Sequence, residues 1–103
     1  MTGTKSKVQT DVADGESVTI NFDMSGVENI DVLISDDNGG TPPDYTFTYS
    51  VEDVDGRSYI VDNGELATSD TSKSFKPIGE KGEVTVSNAS GGTATHRVTV
   101  IYE

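Results

Sequence analysis

The chain has 103 residues, and its 18 acidic side chains against seven basic ones give a formal net charge of −11. That length fits one domain, and the acidity excludes a nucleic-acid partner, because a phosphate backbone needs a basic patch that the chain lacks. With no cysteine, a disulfide framework and a thiolate metal site are excluded as well.

The first ten residues are polar and contain no apolar run of the kind a secretory signal needs. No segment approaches the roughly 20 apolar residues of a membrane-spanning helix, so no membrane partner is expected. Residues 1–7, rich in Thr, Ser and Gly, read as a flexible N-terminal arm ahead of a sandwich domain at 8–103. Lys5 and Lys7 are basic residues at one end of a very acidic chain. They are candidates for docking that arm onto an acidic neighbour, against the plainer reading of a frayed terminus.

Beyond the arm the apolar residues recur with period two, which is the signature of half-buried strands. A first strand is expected at Lys7–Val12. Ser17–Phe22 puts Val18, Ile20 and Phe22 on one face, and Asn29–Ser35 does the same with Ile30, Val32 and Ile34, leaving Leu33 as an apolar exception. Asp44–Val51 alternates Tyr45, Phe47, Tyr49 and Val51 against Thr46, Thr48 and Ser50, which points the aromatic rings inward. Arg57–Val61 is short and apolar at its end. Lys73–Ile78 carries Phe75 but meets Pro77, which suits an edge strand or a strand end. Glu83–Asn88 and His96–Tyr102 complete the series.

Turn chemistry fills the gaps: Asp14-Gly15, Ser25-Gly26, residues 36–40, Asp55-Gly56, Asn63-Gly64, residues 79–82 and residues 90–92. Asp55-Gly56 in particular reads as a hairpin turn. No window keeps a helical period. The fold expected is all-β, a single antiparallel β-sandwich of about seven to eight strands, jelly-roll or immunoglobulin-like, and the sequence does not choose between the two. Only 32% of the residues are hydrophobic, a composition that borders on disorder, yet the alternation argues for a folded chain.

No constellation carries catalysis. His96 is the only histidine, with neither a nucleophile nor an orienting acid supplied by a motif, so it reads as a surface or edge residue and the chain as not an enzyme. Asp53, Asp55 and Gly56 begin like a calcium loop, but a cation, Arg57, stands at the third ligand position and the hairpin reading prevails. Asp36, Asp37 and Asn38 form a second oxygen-rich cluster. They are weak candidates for a metal, against the plainer reading of a solvated acidic loop, and no cofactor is expected. Asn88-Ala89-Ser90 is a glycosylation sequon placed in an expected exposed turn.

The acidity is spread along the chain, which makes it a surface property. It repels itself in dilute buffer and is screened within about 3 Å in molar salt. An ordinary acidic soluble domain and a protein built for a hypersaline milieu both fit; scarce Lys and Arg, with Asp ahead of Glu, favour the second.

Asp14-Gly15-Glu16-Ser17-Val18-Thr19-Ile20 resembles the opening strands of small β-sandwich accessory domains. Residues 82–88, followed by 91–100, resemble their closing hairpin. Together with the acidity, these segments make the chain similar to small structural proteins of haloarchaeal tailed viruses, of head-decoration or turret type. The resemblance implies a sandwich that sits on a capsid or tail as a symmetric oligomer. The function expected is then a non-enzymatic virion structural protein, located on the virion and partnered by copies of itself and other virion proteins. The alternative is a carbohydrate- or cell-surface-binding sandwich module at an extracellular or cell-surface location.

Overall fold

A computed structural model describes residues 3–36, 45–66, 71–89 and 93–103. Eight strands follow one another: β1 (Gly3–Val12), β2 (Ser17–Asp23), β3 (Ile30–Asp36), β4 (Tyr45–Glu52), β5 (Ser58–Leu66), β6 (Thr71–Phe75), β7 (Lys81–Asn88) and β8 (Ala94–Tyr102). They form two four-stranded sheets, ordered β1-β8-β3-β6 and β2-β7-β4-β5, with every neighbouring pair antiparallel. The expected antiparallel sandwich is present. The strand order decides the topology that the sequence left open: consecutive strands, except the β4–β5 hairpin, cross between the sheets in the order of a double Greek key, the jelly roll.

Alternation builds the core. Val18, Ile20 and Phe22 of β2 face Val84 and Val86 of β7 and Tyr45, Phe47 and Tyr49 of β4; across the gap stand Ile30, Val32 and Ile34 of β3 and Val98, Val100 and Tyr102 of β8, all buried. Phe75 closes one side, its ring 4.8 Å from that of Tyr49 and 5.6 Å from that of Phe47. On the other side Phe22 stacks on Tyr102 at 5.6 Å. The aromatic residues of β4 are core residues, as their alternation with Thr predicts.

Four details depart from the sequence reading. β1 begins at Gly3 and pairs with β8 from Gly3↔Tyr102 onward, so residues 3–7, expected on an arm, are strand residues. Backbone hydrogen bonds to β8 hold them without apolar side chains, which is why composition reads them as loose. Asn63-Gly64, expected in a turn, lies inside β5 opposite Thr48 and Phe47. A Cβ on Gly64 would come within 3.3 Å of the Phe47 ring, so this glycine marks a close approach within a strand. Asn88, expected in an exposed turn, is 1% exposed at the end of β7, its amide donating to the Val12 carbonyl at 2.9 Å. Finally, β4 opposes β5 as Tyr49↔Asp62 and then Ser50↔Ile60, which leaves Val61 as the extra residue of a β-bulge.

Candidate functional site

Two lysines close the open sides of the sandwich. Lys5 on β1 lies opposite Val100, in the inward register, and its Nζ crosses to β2 to donate to the Asn21 carbonyl at 2.9 Å. On the far side Lys73 of β6, opposite Val32, reaches β5. Its Nζ lies 3.8 Å from Asp62 and 4.6 Å from the centre of the Phe47 ring. Inward-pointing charges on edge strands blunt those edges against pairing with another chain. Lys7, in the same register on β1, stands opposite Val98.

The edge of β5 carries one charge in the inward register, Asp62 opposite Tyr49, but beside it the strand is built differently. Tyr59, Ile60 and Val61 are consecutive, apolar and exposed, Ile60 to 65%, and Val54 at the tip of the β4–β5 hairpin is fully exposed. Only Asp62 and Glu65 carry charge along the nine residues of this strand. One side of β5 pairs with β4, and among the described residues no strand pairs with the other. Asp53 fixes the hairpin above it by accepting the backbone N–H groups of Asp55 and Arg57, each at 2.9 Å, and the Tyr59 hydroxyl at 3.0 Å. The Arg57 N–H is the largest influence holding the Asp53 carboxyl below its ordinary pKa; the bond to Asp53 raises that of Tyr59. Gly56 takes φ 81°, a conformation that suits glycine at a tight turn. The hairpin reading of Asp53–Gly56 is the one that the structure bears out.

The outward face of the second sheet is a polar grid. Register places Ser17, Ser87 and Thr46 in one row, and Thr19, Thr85 and Thr48 in the next. Hydroxyls bond across the rows, Ser17 to Ser87 at 2.6 Å and Thr19 to Thr85 at 3.1 Å. The two following rows, Asn21–Glu83–Ser50 and Asp23–Lys81–Glu52, line a groove of about 440 Å³ that Lys5 and Glu80 also border. Asp23 accepts the Ser25 N–H at 2.8 Å, which lowers its pKa. Behind the rows sits Gly82, where a Cβ would come within 2.8 Å of the Phe22 ring.

Of the residues singled out from sequence, Lys5 and Lys7 are strand residues of the first sheet. Asp36 ends β3, while Asp37 and Asn38 lie outside the described residues. His96 is in β8, with its backbone opposite Gln9 and Asp36. Among the described residues no group of three or more His, Cys, Asp or Glu is placed to hold a metal ion. The β5 edge and the groove escaped the sequence reading. The run Tyr59-Ile60-Val61 breaks period two and so carried a signal; the groove needs cross-strand register, which no local pattern supplies.

No protein family matches the chain, and no curated protein matches it. Solved structures do resemble it. The Yersinia pseudotuberculosis-derived mitogen is similar at a TM-score of 0.72 with 11% identity, over 100% of this chain and 88% of its own. The pre-peptidase C-terminal domain of a Bacillus anthracis collagenase reaches 0.65 with 14% identity, over 93% and 87%. The family 32 carbohydrate-binding module of C. perfringens NanJ, solved in complex with galactose, reaches 0.54 with 12% identity, over 97% and 93%. At these identities the likeness is one of fold, and the chain is a β-sandwich module of the jelly-roll kind.

Proposed function

We propose that the chain is a non-enzymatic structural protein that self-associates through the free edge of β5 and decorates a larger shell in concentrated salt. The shell proposed is the surface of a haloarchaeal virus. The observation that carries this reading is the contrast between edges: Lys5 and Lys73 guard β1 and β6, while β5 offers three consecutive exposed apolar residues. A free edge with apolar side chains supports pairing with a second chain. The net charge of −11 opposes contact between copies in dilute buffer, and about 2 M salt removes that opposition by screening. Jelly rolls serve in viral capsids and lectins alike, so the fold supports the reading by analogy only.

The test is solution mass by light scattering in about 2 M and about 0.1 M KCl. A defined oligomer at high salt that is lost in Ile60→Lys supports the reading. A monomer at both salts refutes it. A second reading, a carbohydrate- or cell-surface-binding module, is supported by the polar groove and by the fold shared with the galactose-bound module.

A further inference from the structure

We infer that the groove on the second sheet is a site for a neutral mono- or disaccharide, held by hydrogen bonds from Asn21, Ser50, Glu52, Lys81 and Glu83 without an aromatic stacking ring. This inference rests on the second reading above and commits it to a place and a chemistry. Three observations carry it.

The first is Ser50. It is 8% exposed, it lines the groove, and among the described residues its hydroxyl has no hydrogen-bond partner. The hydroxyl opens into the groove, where a ligand hydroxyl can take the place of water. The second is the row beside it. Lys81 stands in register between Asp23 and Glu52 and forms no ion pair with either. An ammonium donor and a carboxylate acceptor are thus held side by side without neutralising one another. The third is size and composition. About 440 Å³ falls in the range of small-ligand pockets, and the lining mixes donors and acceptors closely, which matches adjacent hydroxyls that each donate and accept.

Asp23, Glu52, Glu80 and Glu83 outnumber Lys5 and Lys81 in the lining, which disfavours a simple anion, while the two ammonium groups set among them weaken the site for a simple cation. A neutral ligand has the further property that its hydrogen bonds survive the salt that screens ion pairing. Tyr59 is the exposed large aromatic among the described residues and lies outside the lining. Phe22 and Val51 also line the groove but are themselves buried, so recognition rests mainly on polar contacts and is weak, about millimolar.

The experiment is a ¹H–¹⁵N titration of the full chain with galactose, glucose, N-acetylglucosamine, maltose and xylobiose, at low and at molar KCl, with putrescine as the cationic comparison. Saturable shifts from a sugar, centred on Asn21, Ser50, Glu52, Lys81 and Glu83 and equal at both salts, are expected. Ser50→Ala changes one atom at a strand position and should fold normally while weakening the sugar about five-fold, the effect of one lost hydrogen bond. Sugar-induced shifts that centre elsewhere overturn the inference and leave the binding-module reading standing. Silence to every sugar removes both. Saturation by putrescine, weakened by salt, reassigns the groove to cations and overturns the inference as well.

Discussion

β4 and β5 are hydrogen-bonded neighbours of similar apolar content, and they live in opposite environments. β4 has a strand on either side and an opposing sheet over its inner face, so Tyr45, Phe47, Tyr49 and Val51 are all buried. β5 is an edge, and its bulge at Val61 interrupts the alternation, so Tyr59, Ile60 and Val61 stay in solvent. Position in the sheet, more than hydrophobicity, decides which side chains contribute to stability and which remain free for contact with other molecules.

The sharpest way to break this comparison is truncation on both strands. Tyr49 is fully buried, and its hydroxyl donates to the Lys76 carbonyl at 3.1 Å. Tyr49→Ala should cost about 3–5 kcal/mol in urea unfolding, the range for emptying a large aromatic site. Ile60→Ala should change stability by no more than about 0.5 kcal/mol. Comparable losses at the two sites would mean that β5 is covered after all.

A smaller effect tests how tightly the second sheet closes behind the groove. Gly82→Ala places a methyl against the Phe22 ring and the Met24 sulfur, which lie in a packed core. It should cost about 1–3 kcal/mol by overpacking, whereas Gly15→Ala, with open space around it, pays only for its left-handed φ of 84°. Equal losses would locate the strain in the backbone instead.

The smallest effect concerns the hairpin that carries β5. Asp53 has a depressed pKa, so its turn bonds are fully made above the ordinary value of 3.8 and fade as pH falls through the lower folded value. Tyr59 titrates above its ordinary 10.0, because its bond to Asp53, strongest while the carboxyl is ionised, must be given up when base removes the phenolic proton. Carboxyl and ring resonances followed by NMR should show both displacements, and Asp53→Asn should return Tyr59 toward its ordinary value. An unchanged Tyr59 titration in that variant would detach it from Asp53.

Much of the fold is legible because strands write their period into the sequence. Each run with apolar residues at alternate positions became a strand, and Asp14-Gly15, Ser25-Gly26 and Asp55-Gly56 supplied glycines with positive φ at turns. The failures share one cause, a partner distant in the chain. Lys5 is ordered by β8 and reaches across to Asn21. Gly64 is explained by Phe47, and Asn88 is buried through Val12. Asn88 also shows what a sequon hides, since the nitrogen that a glycan would need is already committed inside the protein. The candidate groove was illegible for the same reason: Ser50, Lys81 and Asn21 meet only through the register of three strands.

The pairing of β1 with β8, with β3 on the far side of β8, has a consequence in time. β8 comes last of the eight described strands, and it is the one that joins β1 to β3. During synthesis the first sheet therefore stays in pieces until β8 has emerged. Its closure joins segments far apart in sequence, Gly3–Val12 with Ala94–Tyr102, the kind of topology that folds in about milliseconds to seconds. Until that moment the inner faces of β2, β4 and β7 wait without their complete opposing layer, and that interval is when apolar surface is most open to contact with another chain.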